Sequence, residues 1–214
     1  MSTLPLSVVC FAVKEEARFF QVEPRINGRI RTVVTGMGAR NAEHAICKVL
    51  EEEKPVLVLS CGFAGGLKPE LSRGTVVFDV DPETKLQSKL ISKGAVPALF
   101  HCSQEVATTG EQKRALRQAT GADVVEMESG VIRKICRSSG IPSGTVRIIL
   151  DTASEDLPLD FNELMTPDQR LNLPKLLISL VKAPWKIRPL VRLQAQSTAA
   201  ARKLAQVLNE TLQQ

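Results

Sequence analysis

Two spacings of apolar residues alternate along the first three-quarters of this chain. Apolar or alternating runs at Leu6 to Val13, Arg29 to Thr35, Val56 to Ser60, Gly74 to Val80, Ala122 to Met127 and Thr145 to Leu150 read as strands. Between them, the helical spacing predicts helices over Glu15 to Phe20, with Phe19 and Phe20 turned inward, and over Asn41 to Glu53, with Ala42, Ala45, Ile46, Val49 and Leu50 on one face. Two further helices are predicted over Gln112 to Thr120 and over Ser129 to Ser138, the second closed by Gly140 and Pro142. Asn27-Gly28 marks a turn, and the stretch from Asp81 to Cys102 reads as irregular. The tail reads as helix in two or three pieces broken at Pro174, Pro184 and Pro189. Strand, glycine turn, helix, strand is the pattern of a mainly parallel α/β sheet.

The strand ends carry the candidate chemistry. Val124-Val125-Glu126-Met127-Glu128 and Thr145-Val146-Arg147-Ile148-Ile149-Leu150-Asp151 each run from apolar residues into a carboxylate, and such ends meet at the edge of a buried sheet where ligands sit. A glycosidic bond to a purine suits this arrangement: one carboxylate holds sugar hydroxyls while another delivers a proton to the departing base. The alternative for Glu126 and Glu128 is a solvated strand end followed by a helix whose first turn welcomes acids, and for Asp151 an Asx turn. Glu15 and Glu16 likewise suit a helix N-terminus, and His44 and His101 fit solvated or structural positions. Two glycine-rich turns are expected after strands. Thr35-Gly36-Met37-Gly38-Ala39-Arg40-Asn41 opens a helix, where free amides favour an anion or a ribose, although a tight turn needs glycine on steric grounds alone. Cys61-Gly62-Phe63-Ala64-Gly65-Gly66 is the other.

Composition narrows the classes. The 214 residues, 43% hydrophobic and 24% charged, suit one globular domain with a C-terminal appendage. Aromatics make up 4% with no Tyr, which leaves little for stacking bases and argues against nucleic-acid binding. Five scattered cysteines without a CxxC pair and two histidines offer no zinc site or Ser-His-Asp triad, so a cytoplasmic protein free of metal and organic cofactor is expected. The N-terminus lacks a basic stretch before its short apolar run, which argues against export and membrane insertion. The net charge of +5 is a property of the tail. From Gln169 to Asn209 there are eight basic residues and no acid, while the remainder holds 20 basic against 23 acidic residues.

In order along the chain, Phe11-Ala12-Val13-Lys14-Glu15-Glu16-Ala17, Thr35 to Ala42, Gly62-Phe63-Ala64-Gly65-Gly66-Leu67 with Gly74-Thr75-Val76-Val77, Val125-Glu126-Met127-Glu128 and Val146-Arg147-Ile148-Ile149-Leu150-Asp151 resemble the purine nucleoside phosphorylase and methylthioadenosine/S-adenosylhomocysteine nucleosidase superfamily. The resemblance covers Leu6 to Leu164. It implies a mixed, partly closed sheet flanked by helices in a single domain, taken here as residues 1–168, while composition marks 169–214 as a basic helical segment packed on or appended to it. Asp151 then resembles the acid that protonates N7 of a purine, Glu16 the organiser of the attacking water, and Glu128 the clamp on the ribose hydroxyls. Met127 resembles a floor beneath the sugar and Phe161 an aromatic that closes over the nucleoside. Glu126, Gly62 and Phe63 complete the expected substrate contacts, and Gly36, Gly38, Arg40 and Asn41 the anion or ribose contacts.

The departures from the family pattern carry information too. Phe63 stands where these enzymes carry Ser or Thr, and Ser60 where phosphorylases carry a phosphate-binding Arg. Both tilt the expectation toward water rather than phosphate as nucleophile, with phosphate retained as the alternative co-substrate if Arg40 supplies the charge. Residues 81–109, which frame the base in the family, are short and unfamiliar. The family implies a homo-oligomer, and an exposed Phe63 would suit its interface. Residues 174–193 mix basic and apolar residues with one Trp, which suits either a docked helix pair or an amphipathic segment on an anionic membrane face. That tail resembles the hopanoid-associated branch, which implies an adenosine carrying a lipid. A non-catalytic protein that binds nucleoside or membrane on the same fold is the remaining alternative.

Overall fold

The computed structural model describes residues 4–21, 28–166, 168 and 172–212; the expected turn residue Asn27, the boundary residue Gln169 and Arg170 lie outside them. Among the described residues, eight strands join in one mixed sheet. β1 (Leu6–Phe11) pairs in parallel with β2 (Arg29–Val34) on one side and with β3 (Leu57–Gly66) on the other. Beyond β3 lies β8 (Ser143–Asp151), also parallel, then β4 (Val76–Val80), antiparallel to β8, and the two-residue edge β5 (Val96–Pro97). The far end of β3 turns away: Gly65 and Gly66 pair antiparallel with β7 (Val124–Glu126), which carries β6 (Phe100–Cys102). A register shift between Ala64 and Gly65 marks this branch, as expected of a bulge that redirects a strand.

Helices cover both faces, so the central strands are apolar throughout rather than alternating. Val8, Cys10 and Val58 meet Ala42, Ile46 and Val49 of α2 (Ala39–Glu52) and Ile132 and Cys136 of α5 (Ser129–Ser138). On the opposite face Val9, Phe11, Leu59, Val146 and Ile148 meet Leu204, Ala205, Leu208 and Leu212 of α8 (Ile187–Leu212). The last turns of the tail are thus part of the main core.

Three expectations are corrected. Cys61 to Gly66 is no turn: β3 continues through it, because β7 and β8 pair with it and its glycines admit side chains from neighbouring elements. The stretch from Asp81 to Cys102 is not irregular, since it holds a 3-10 turn at Pro82–Thr84, α3 (Gln87–Ser92), β5 and β6. Leu86 and Leu90, one helical turn apart, reach the core there, but the element is too short to show a period. Pro189 does not break the tail, because it falls in the first turn of α8, where its missing N–H has no intrahelical partner to lose. Pro174 sits likewise at the start of α7 (Leu173–Lys182), and Pro184 opens a 3-10 turn. No helix of the described residues is long and apolar enough to cross a membrane.

Candidate active site

The carboxylates at the strand ends converge on one cavity of about 320 Å³. Glu16, Phe63, Glu126, Met127, Glu128, Asp151 and Phe161 all line it, together with Val106, Leu157 and, from α8, Leu193 and Ser197. Short elements aim these groups. α1 (Lys14–Ala17) follows β1 and turns Glu16 inward, Glu128 is the residue before α5, Asp151 ends β8, and Phe161 opens α6 (Phe161–Leu164).

Arg147, midway along β8 and 1% exposed, organises one end of the cavity. Its Nη2 donates to Glu126 Oε2 at 2.7 Å, Glu128 Oε2 at 3.1 Å and the Ser60 hydroxyl at 3.0 Å, and its Nη1 to the Cys61 carbonyl at 3.3 Å. Glu126 is used up within the protein: Oε2 also accepts the amides of Glu128 and Ser129, and Oε1 accepts the Ser129 hydroxyl at 2.7 Å. These bonds tie Arg147 to the start of α5. Glu128 bridges instead, with Oε1 accepting the Gly38 amide at 2.8 Å. Burial raises its pKa against the pull of Arg147.

Glu16 accepts the amides of Ala12 at 2.9 Å and Val13 at 3.3 Å on Oε2, and of Phe63 at 2.7 Å on Oε1. Burial pushes it up to about 7, opposed by Arg147 and assisted by Glu128. Gly62 makes this approach possible, since a Cβ there would lie 2.5 Å from Glu16 Oε1 and 2.6 Å from Arg147 Nη1. Asp151 meets a different partner. Its Oδ2 lies 2.5 Å from Nζ of Lys113, on α4 (Gly110–Thr120), and burial raises its pKa against that ammonium.

The Gly36 to Asn41 turn is placed differently from expectation. Gly38 begins α2 and donates its amide to an anion, but that anion is Glu128 of the same chain. Arg40 is exposed and does not line the cavity; Asn41 spends its amide nitrogen on the carbonyls of Met37 and Asp168. Gly36, with φ of 87°, shapes the turn. Phe63 is half-buried on the cavity wall and does not offer an exposed interface.

The profile of the phosphorylase superfamily matches residues 5–79 and 96–182. The chain belongs to this superfamily. Among relatives, it is 27% identical over 191 residues to the 5'-methylthioadenosine/S-adenosylhomocysteine nucleosidase of Exiguobacterium sp., covering 72% of this chain and 82% of that one. The enzyme of the same description from Shewanella halifaxensis is 26% identical over 163 residues, 60% of this chain and 71% of that one. Among solved structures, futalosine hydrolase of Helicobacter pylori superposes with a TM-score of 0.70 at 15% identity, covering 98% of this chain and 97% of that one. A Helicobacter pylori 5'-methylthioadenosine/S-adenosylhomocysteine nucleosidase bound to butyl-thio-DADMe-Immucillin-A superposes with a TM-score of 0.70 at 16% identity, covering 99% of each chain. The mixed sheet flanked by helices is the fold these proteins share. The superfamily profile skips residues 80–95, where this chain has the 3-10 turn and α3.

In this superfamily member, reasoning from the sequence missed three groups. Arg147 carried a signal, for a lone arginine inside an otherwise apolar strand must be paired if buried. Lys113 carried none, standing in the polar run Glu111-Gln112-Lys113-Arg114. Asn162 pairs its carboxamide with both backbone groups of Val106, at 2.9 Å each, and so fastens the 105–107 wall to the helix that bears Phe161.

Proposed function

We propose that the protein hydrolyses the N-glycosidic bond of a purine nucleoside, adenine being the expected base, with an apolar substituent at the sugar 5' position. The observation that carries this reading is the set of carboxyl groups on one cavity wall: Glu16 and Glu128, the second held from behind by Arg147, and Asp151, whose pKa burial raises and which pairs with Lys113 instead. Water held by Glu16 attacks C1' and gives its proton to that carboxylate. The C1'–N9 bond breaks, its electron pair enters the purine, and N7 takes the proton of Asp151. Glu128 accepts from the ribose hydroxyls over the Met127 floor, and Phe161 covers the base. Proton exchange with solvent then restores both carboxyl groups.

Water is favoured over phosphate because each expected phosphate contact is spent or turned away. The Gly38 amide is taken by Glu128, the Ser60 hydroxyl by Arg147, and Arg40 lies outside the cavity. The 5' preference is supported by Leu193 of α8 at the cavity wall and by the surface of the same tail: Trp185, Ile187 and Val191 are 71%, 46% and 64% exposed, amid Lys186, Arg188 and Arg192. A basic surface with apolar anchors suits an anionic membrane face, from which a lipid-linked adenosine of the hopanoid-associated kind would be taken. The proposal includes a homo-oligomer; Val96 and Leu99, exposed at the β5 edge, leave apolar surface for a second copy.

The test is adenine release from adenosine, methylthioadenosine and a 5'-alkylated adenosine, with and without phosphate. Phosphate-independent release with preference for the alkylated compound is expected. Strict dependence on phosphate would replace hydrolysis by phosphorolysis, and absence of release with retained binding would leave a binding protein. Flotation with anionic vesicles, lost on W185S/V191S, tests the membrane contact, and light scattering the oligomer.

A further inference from the structure

We propose that Lys113 is a positioning residue for this reaction, clamping the carboxyl group of Asp151 in its donor geometry and balancing the carboxylate left when the proton passes to the purine. The inference rests on the hydrolase reading above. Lys113 is wholly buried, and its ammonium has three acceptors for its three protons: Asp151 Oδ2 at 2.5 Å, the Thr152 carbonyl at 2.9 Å and the Glu155 carbonyl at 2.6 Å. Such an ammonium has no rotational freedom left. Two of the acceptors belong to the turn just after β8, so α4 grips both the acid and the backbone that carries it.

A purely structural contact between α4 and that turn does not call for a charge. Taking an ammonium out of water is costly, and an apolar side chain of similar length avoids that cost. The charge does have a use at the adjacent group. A buried carboxyl group keeps its proton too tightly to be a good donor, because ionisation leaves an unsolvated anion. Lys113 opposes that burial at Asp151. Glu155 and Arg73 also act on Asp151, but they form an ion pair with each other, and Glu155 Oε2 is occupied by Thr152. Asp156 and Arg192 line the neighbouring cavity of about 230 Å³, which Asp151 also borders. In the proton transfer, the electron pair of C1'–N9 enters the purine, N7 gains the Asp151 proton, and Asp151 becomes a carboxylate facing an ammonium that keeps all its protons. Glu128 and Glu16 take no part in this step.

The experiment is the pH dependence of kcat and KM for K113Q, which keeps donors for the two carbonyls, in the wild-type and D151N backgrounds, with K113M as the length-matched second variant. K113Q is expected to lower kcat by at least about tenfold with little change in KM. Its alkaline limb, set by loss of the Asp151 proton, should move up by about one pH unit or more. In the D151N background the same substitution should cost less than about twofold, because its route to the reaction is gone. An unmoved alkaline limb, or an equal loss in the D151N background, overturns the inference while leaving the hydrolase reading intact. Loss of folded protein in both variants would make Lys113 a structural group and overturn it as well. Absence of adenine release by the wild type at every pH would remove the hydrolase reading and this inference together.

Discussion

The backbone amide of Gly38 donates to Oε1 of Glu128 across 90 residues of sequence, at 2.8 Å. The N-terminus of α2 is a natural anion site, and here the chain supplies the anion itself. Because Glu128 is also fastened by Arg147, it is presented to the cavity in one orientation.

Two results follow for Glu128. Glycosidic cleavage by the wild type should be unchanged by phosphate, since the amide that would cradle it is filled. Glu128→Ala should lower kcat/KM by about two orders of magnitude and stability by about 1–3 kcal/mol, as the Gly38 amide and Arg147 each lose a buried partner. Steady-state kinetics with varied phosphate and denaturant melts read the two effects. Phosphate-dependent activity of the wild type would contradict the first.

The carboxyl of Glu16 provides a pH signature. Its pKa rises on folding from the usual 4.5 to about 7, chiefly through burial. Only the ionised form accepts a proton from water, so kcat/KM should climb with pH through about 7. Glu16→Gln should erase that limb and lower the rate by about 10²- to 10⁴-fold. Stability has the opposite sign. The folded state binds the proton more tightly, so the contribution of Glu16 is whole below 4.5 and is lost as pH rises through about 7. Urea titrations across that window should show this slope in the wild type and lack it in Glu16→Gln.

Gly62 admits no side chain. An added Cβ would meet Glu16 Oε1 at 2.5 Å and Arg147 Nη1 at 2.6 Å, two groups tied down by several bonds. Gly62→Ala should destabilise by about 1–3 kcal/mol and raise KM together with a loss in kcat, because it displaces both groups. Gly74→Ala, whose Cβ meets nothing within 4 Å but whose φ is 79°, separates backbone strain from this crowding by leaving KM unchanged.

Removing Arg147 should be the most damaging single change in the site. Arg147→Met leaves Glu126 and Glu128 buried together without a cation, at a cost of about 3–5 kcal/mol. Thermal melts should show that loss, and lowering the pH should recover part of it as Glu128, whose pKa burial already raises, takes up a proton.

Much of the scaffold was legible because its signals are local. The spacing of Ala42, Ile46 and Val49 marks α2, and Gly140 and Pro142 mark the end of α5 at Ser138. The failures share a cause. The glycines of β3 look like a turn when read along the chain, yet they remain extended because Glu16, Arg147 and Asp151 approach from elements far away in sequence. The 81–102 stretch has elements too short to display a period.

The sequence by itself determined the alternation of strand and helix, the carboxylates at the strand ends and the basic character of the tail, because each follows from residue type and spacing over a few positions. Tertiary structure decided which carboxylates are available. Glu126 and Glu128 stand two residues apart, look alike in sequence and both line the cavity, but Glu126 accepts from Arg147, the Ser129 hydroxyl and two amides, while Glu128 accepts from Arg147 and bridges to the Gly38 amide. It likewise brought Lys113 to Asp151, a pairing of charges that exists only because α4 packs behind the end of β8 and excludes the water that would otherwise screen them.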